Sequence, residues 1–378
     1  MGQSKQAKIG VIGSAIAGLS SALAIANAGH KAVVFGTVPN QLAGALQLAP
    51  NGFSALAKLG ALEALELHMT RLHAIEIRAA RHNKCLTMID HDSPTRRDYA
   101  AIGRQSLANG LYQLAMAHPA ISFVDKMVTT ITCTQDETSC VTSDGIKYEF
   151  DLLIGADGQK GLARQKIAPA RADKEQFRIA LRASCSAETL PQSFAARRTQ
   201  LWLGDGYHLV GYPYHDSHND KMMVNLVLCT MNSALEGREI AKSLLGNNDI
   251  LNALSAQDLR WHKTPLPPAS QLATWRQNGL ILIGDGAHFM PPHLAQGAGQ
   301  TLEDAATLQA ALHDIEDVKS AASRWALGRQ RALSSIIDKA ESTGAVMRLS
   351  GPFARLRNAA VEFGGQRLIE KWLNQVWQ

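Results

Sequence analysis

Residues 8–36, KIGVIGSAIAGLSSALAIANAGHKAVVFG, constrain the fold more than any other stretch of the chain. They read as an apolar strand, a tight glycine turn, a helix, a turn at Ala28-Gly29-His30 and a second apolar strand ending at Phe35. That is a βαβ unit of the right length, and it places the chain in the α/β class. Within VIGSAIAGLS, Gly13 and Gly18 stand where a dinucleotide turn needs its first and third glycines, and Ala15 replaces the second. In such a turn the first glycine permits the sharp bend, the second lets the backbone approach a pyrophosphate and the third lets helix pack closely on strand. A methyl group is the smallest intrusion possible, and a helix opening at about Ile16 still offers free N–H groups to phosphate. The acidic residue that should close the second strand and bind ribose hydroxyls is missing. Phe35 is followed by Gly36, and no Asp or Glu occurs before Glu63. Thr37, Gln41 or backbone groups are left to hold a ribose, and a glutamate installed at Gly36 is expected to tighten dinucleotide binding.

The rest of the chain alternates between classes of pattern. QLAPNGFSALAKLGALEALE starts a helix at Pro50-Asn51, and a further helix begins near Gln105. YEFDLLIGADGQKGLAR is an apolar strand emptying into a glycine turn that holds Asp157. From about Phe177 to Cys229 the pattern alternates with period two, as in QLWLGDGYHLVGYPY, which predicts a separate sheet carrying a substrate-binding job. LILIGDGAHFMPPHLAQGAGQTLEDAATLQAAL returns to strand, turn and helix, with Asp285 in the turn and a helix from about Gln300 whose positive end lies near Glu303 and Asp304. The tail beyond Ser350 is helical in composition, broken at Gly364-Gly365. A net charge of +5 over 378 residues, without a long Lys/Arg block, argues against nucleic acid. Five widely spaced cysteines without a C-x-x-C pair argue against a disulfide framework or a zinc site and fit a reducing cytoplasm. No stretch is apolar for long enough to span a bilayer, and a soluble protein is expected.

Three segments, VIGSAIAGLS, DLLIGADGQKGLAR and IGDGAHFMPPHLAQGAGQTLEDAA, supported by LQLAPNGFSALAKLGAL, HLVGYPY and LSGPFARLRNAA, resemble the single-component FAD-dependent aromatic hydroxylases related to salicylate hydroxylase and 6-hydroxynicotinate monooxygenase. The resemblance implies a Rossmann-like FAD-binding domain with an inserted β-sheet substrate domain and a C-terminal helical tail. It implies FAD parts at 1–72, 100–170 and 274–340, substrate-domain parts at 73–99 and 171–273, and helices at 341–378. FAD, with NADH or NADPH as co-substrate and O2, would hydroxylate a small aromatic or heteroaromatic acid or phenol through a flavin C4a-hydroperoxide. Gly13, Ala15, Ala17, Gly18 and Gly36 would line the dinucleotide end, and Arg104 would contact FAD phosphates or ribose. Asp157 would belong to the loop used around FAD and nicotinamide, Asp285 would bind the ribityl chain, and Gly297 and Ala298 would face the pyrimidine edge of the ring system.

Hydroxylation of a phenol is favoured by a base titrating near neutrality, most economically histidine. His208 and Tyr212, four apart on a strand, share one face with Val210 between them. The resemblance sets that strand at the substrate and His293 beside the flavin, either histidine serving as base or as anchor for a carboxylate or phenolate. Gln47, Arg182 and Pro292 complete the expected substrate lining, while His288 is expected to hold the Asp285 turn. The expected assembly is a monomer or homodimer. Two other readings remain open at this level: a flavin-poor homologue acting as a binding protein, from Ala15 and Gly36, and a membrane-surface hydroxylase of a quinone precursor, from the basic and aromatic tail.

Overall fold

The structure, a computed structural model, describes residues 6–91, 98–168, 178–231, 259–267, 272–313 and 317–377, with a few single residues between these stretches. The opening βαβ unit forms as read: β1 (Lys8–Ile12), α1 (Ile16–Asn27) and β2 (Lys31–Phe35). β1 and β2 pair in parallel, from Lys8 opposite Lys31 to Ile12 opposite Phe35. α1 is buried from Gly18 through Ala26, which is why its sequence is apolar or small on every side and shows no polar stripe.

Next come β3 (Ala45–Leu48), α2 (Pro50–Lys58), α3 (Leu62–Glu66), β4 (Met69–Arg71), β5 (Ala74–Ala79), β6 (Lys84–Asp90), β7 (Ala100–Gly103) and α4 (Arg104–Ala117). They are followed by β8 (Ile121–Val124), β9 (Val128–Cys133), β10 (Thr138–Thr142), β11 (Lys147–Glu149), β12 (Leu152–Gly155) and α5 (Leu162–Ile167). β13 (Ile179–Ser186), β14 (Arg198–Leu203), β15 (Tyr207–Asp216), β16 (Lys221–Thr230) and β17 (His262–Pro265) form the alternating region. The chain closes with β18 (Arg276–Gln277), β19 (Leu280–Leu282), α6 (Asp285–His288), α7 (Gly297–Leu312), α8 (Val318–Met347) and α9 (Gly351–Asn374).

A six-stranded sheet runs β18-β19-β12-β1-β2-β8. Its strands are parallel apart from the β18–β19 hairpin. β12, β1 and β19 therefore release their following turns at the same edge, the edge at which open α/β sheets bind ligands. A seven-stranded sheet runs β17-β13-β16-β15-β14-β5-β6. Register divides its side chains cleanly. Leu181, Trp202, Leu209, Leu226 and Leu228 fall on one face and build a separate buried core with Phe194. The opposite face presents Cys229 and His208 in one cross-strand row, and Arg182, Val227 and Val210 in the next. Asn225 and Tyr212 follow in a third row, as the period of two requires.

Two boundaries differ from the sequence reading. α7 begins at Gly297, not at about Gln300, because the chain turns earlier, at Ala295 with φ +53°. Glu303 and Asp304 consequently lie in the second turn, and Asp304 points into the protein, as described below. The tail forms α8 and α9, and Gly365, with φ +56°, kinks α9 where the glycine pair predicts a break. Leu373, Val376 and Trp377 are buried, and Trp377 stacks on Tyr99 at 5.6 Å between ring centres. The tail thus docks onto the core, while Phe353, Leu356 and Phe363 are exposed. Among the described residues no helix is long and apolar enough to cross a membrane. All five cysteines are free.

Candidate active site

The turn after β1 has the form of an anion cradle. Gly13 has φ +111°, and a Cβ there would collide with the carbonyl oxygen of Ala156. A Cβ on Gly18 would overlap the carbonyl oxygen of Gly13, so close helix–strand packing excludes any other residue. Ala15 is different: its φ of −87° and ψ of −169° suit any residue. As N-cap it makes no side-chain hydrogen bond, which leaves the amides of Ile16, Ala17 and Gly18 without intrahelical acceptors and open to a phosphate.

Gly36 overturns the expectation of an added glutamate. Gly13 N donates to Phe35 O (3.0 Å), Gly36 N to Val124 O (3.1 Å) and Ser14 Oγ to Thr37 O (2.7 Å). These bonds pin Gly36 at φ +115°, where an L side chain is strained, and a Cβ would sit 3.3 Å from Ser14 Oγ. A glutamate there would carry backbone strain into the cradle.

Asp157 stands in the turn after β12. Its Oδ2 accepts from Ala163 N at 3.0 Å and so caps α5, while Oδ1 is buried without a partner. Burial raises its carboxyl above the ordinary value against the opposing pull of nearby backbone amides. Asp285 opens α6 after Gly284, whose φ is +61°. Solvent reaches its carboxylate, yet the surrounding protein desolvates it enough to raise its pKa, with His288, Arg104 and Arg182 pulling the other way. An exposed carboxylate in the field of Arg104 and Arg182 is a ready acceptor for ligand hydroxyls. At the start of α7, Gly297 and Ala298 are half-buried, a Cβ on Gly297 would meet nothing within 4 Å, and buried Gln296 Nε2 lacks a partner. The dinucleotide cradle, the orphan carboxylate oxygen and this open helix start fit a flavin dinucleotide.

Behind the Asp285 turn lies a buried charge network. Asp304 Oδ2 accepts from Gly284 N (3.0 Å) and bonds His288 Nε2 (2.5 Å), while Oδ1 accepts from Arg329 Nε (2.6 Å). Burial alone would raise the Asp304 carboxyl, but His288 and Arg329 outweigh it and hold it below its ordinary value. Arg329 also donates to Gln300 O (3.2 Å) and Oε1 (2.6 Å), so hydrogen bonds tie α8 to α7 and to the turn. His288 holds the turn, as the sequence reading has it.

The second sheet carries the candidates His208, Tyr212 and Arg182 on one face. His208 and Tyr212 share a face, as expected, and the His208 ring lies edge-on to His293 at 5.1 Å between ring centres. Arg348 Nη1 donates to His293 Nε2 at 3.0 Å. His293 is therefore the Nδ1–H tautomer, and that buried Nδ1 has no partner. Burial first, then neighbouring positive charge, lowers His208 to about 3; burial, with His208 and Arg348, lowers His293 to about 2. Both rings are neutral at pH 7, and neither titrates near neutrality in this state. Tyr212 donates to Ala45 O (3.0 Å) and accepts from Asn225 Nδ2 (2.9 Å), so its one donor is committed to the backbone. Gln47 Nε2 donates to Thr199 Oγ1 at 2.6 Å, and Pro292 opens a 3-10 turn that carries His293. Arg182 is half-buried, and burial together with Arg104 lowers its pKa. Neither guanidinium has a hydrogen bond or ion pair among the described residues.

Sequence reasoning missed Arg348, Arg329 and Gly344. A Cβ on Gly344 would fall inside the His293 ring, so this glycine and Arg348, one helical turn on, seat that ring together. In sequence they sit in an unremarked helix with no motif around them. The ligand-capable atoms of His208, Cys229 and His293 lie within 4.8 Å of one another. Arg182 and Arg348 act on Cys229, whose thiol is pushed up by burial to about 12, and this positive field opposes a divalent cation.

The family model described as "FAD binding domain" matches residues 6–327. The chain is 25% identical over 368 residues to the 3-hydroxybenzoate 6-hydroxylase of Klebsiella oxytoca, covering 92% of this chain and 90% of that one. It is 29% identical over 314 residues to the 3-amino-4-hydroxybenzoate 2-monooxygenase PtnB3 of Streptomyces platensis, covering 79% and 77%. The crystal structure of Klebsiella pneumoniae HpxO with FAD and uric acid shares the fold, with a TM-score of 0.86 at 18% identity over 99% of this chain and 97% of that one. The matched family, the length of the match and the fold agree on one conclusion: the chain belongs to the FAD-dependent aromatic hydroxylases, with FAD as its cofactor and NADH or NADPH as the co-substrate typical of that family.

Proposed function

We propose that the protein hydroxylates a small aromatic acid bearing a phenolic hydroxyl, of the hydroxybenzoate type. The balance is ring C–H, O2, NAD(P)H and a proton in, and ring C–OH, NAD(P)+ and water out. Bound FAD supplies the electron transfer from nicotinamide to oxygen; the chain supplies orientation, electrostatics and exclusion of water. Gly13, Ala15, Ala17 and Gly18 hold the pyrophosphate with Arg104, Asp285 the ribityl hydroxyls, and Gly297 and Ala298 the ring edge. Asp157 serves the same loop region.

The observation that carries the substrate reading is Arg182. A partly desolvated guanidinium without a side-chain hydrogen bond, in one cross-strand row with Val210 and Val227 and next to the row of His208 and Cys229, is an anchor for a carboxylate or phenolate. His293 donates from its free Nδ1–H to the substrate oxygen, and His208, Tyr212, Gln47 and Pro292 shape the walls. Because both imidazoles are neutral and weakly basic here, they act first as hydrogen-bonding groups, and an anionic substrate arrives already favoured by Arg182 and Arg348. The relatives named for 3-hydroxybenzoate and 3-amino-4-hydroxybenzoate support the same substrate class. Five free cysteines fit a reducing cytoplasm, with the protein acting as monomer or homodimer. FAD-loaded protein should couple NAD(P)H and O2 consumption to hydroxylated product on a hydroxybenzoate panel; stimulation by neutral phenols alone would rule out the anionic class.

A further inference from the structure

We propose that Asp125, carried on the strand next to β2, takes the place of the missing β2 carboxylate and binds the adenosine ribose hydroxyls of FAD. The end of β2 cannot carry an acid, since Gly13, Ser14 and Val124 fix Gly36 at φ +115°. β8 runs parallel to β2 with Val124 opposite Phe35, so Asp125 leaves β8 beside Gly36. Neighbouring strands are about 4.8 Å apart, a displacement that a ribose with two adjacent hydroxyls can bridge.

The carboxylate is fixed in place. Thr37 Oγ1 donates to Asp125 Oδ1 at 2.6 Å, and Thr37 O in turn accepts from Ser14 Oγ of the cradle at 2.7 Å. Asp125 is thus tied through a single residue to the turn that receives the pyrophosphate. Its other oxygen, Oδ2, has no hydrogen bond among the described residues, and the side chain is exposed on the ligand edge of the sheet. A carboxylate one oxygen short of its acceptor capacity, beside the cradle and at the end of a parallel strand, meets the chemical need that a β2 acid meets elsewhere: accepting from vicinal hydroxyls. In sequence it lies 89 positions beyond Gly36, far outside the window in which such an acid is sought.

The test uses apoprotein titrated with FAD and with the FAD analogue carrying 2′,3′-dideoxyadenosine, followed by flavin fluorescence. Wild-type protein should bind FAD about 10- to 100-fold more tightly than the analogue, the range expected for hydrogen bonds to a charged acceptor. Asp125→Ala should bind both ligands alike, at the wild-type affinity for the analogue, and Asp125→Asn should fall between. Gly36→Glu should weaken FAD, not tighten it. The proposal is overturned if Asp125→Ala still discriminates between the two ligands by the wild-type factor. An equal loss of affinity for both ligands would also overturn it, since that would mark a structural effect.

Discussion

Arg182→Met separates binding from stability, because the structure predicts opposite signs for the two. Folding partly desolvates the Arg182 guanidinium near the like charge of Arg104, and the Asp285 carboxylate offsets this only in part. Replacing it with an apolar chain of similar length should leave the protein as stable or more stable by on the order of 1 kcal/mol, since an unpaired buried charge opposes folding. In a chain of this size that corresponds to a melting temperature higher by about 1–2 °C. Binding of an aromatic carboxylate should weaken by about 2–5 kcal/mol, the usual effect of truncating one side of a desolvated charge pair. That is roughly a 30- to 5,000-fold rise in Kd, with neutral phenols changing less than about threefold. Titrating substrate against the flavin absorbance of holoenzyme gives the first quantity, and a thermal melt of the same sample the second. A lower melting temperature combined with an unchanged preference for carboxylates would show that Arg182 is a structural ion and not a substrate anchor.

Arg329→Met should cost about 3–5 kcal/mol, because it strands the fully buried Asp304 with only His288 and Gly284 N, and an unfolding free energy from urea melts lowered by under ~0.5 kcal/mol would contradict that. The depressed histidines set an acid limit: His208 at about 3 and His293 at about 2 bind protons far less readily folded than the ordinary 6.5 of an unfolded chain. Their contribution is intact above pH 6.5 and declines as pH falls, by up to ~1.4 kcal/mol per pH unit for each ring. Urea melts between pH 7 and 4.5 should show this slope, and His208→Phe should flatten it. Gly344→Ala should displace the His293 ring and lower kcat/KM by about 100-fold through misplacement alone, with FAD affinity unchanged; wild-type kinetics would show that the ring's seat does not matter.

The βαβ unit was legible because Gly13 and Gly18 meet backbone demands that only glycine satisfies, and such demands leave a mark in one short window. The shared face of His208 and Tyr212 was legible for a related reason, since a period of two fixes which side chains of β15 travel together. The role of Gly36 was misread because its conformation is set from outside, by Ser14 and Val124, and nothing in the local sequence reports φ. Arg348 and Arg329 reach the site from one long helix whose local pattern is ordinary, and their partners His293 and Asp304 are 55 and 25 residues away. The start of α7 was placed late because Gly297 and Gly299 resemble a loop, although Ala295 makes the turn ahead of them. The titration of the histidines depends on burial and on neighbouring guanidinium groups, which only the assembled sheet and helices create.

In the proposed reaction this chain places an oxygen atom from O2 on an aromatic acid held by Arg182. Its most direct test is a turnover of FAD-loaded enzyme with NAD(P)H, a hydroxybenzoate and ¹⁸O2, with the product analysed by mass spectrometry. The new ring hydroxyl should carry one ¹⁸O, with none incorporated from water, and product should match nicotinamide consumed. Nicotinamide oxidation that yields only hydrogen peroxide with every aromatic acid offered, or product oxygen drawn from water, would contradict it.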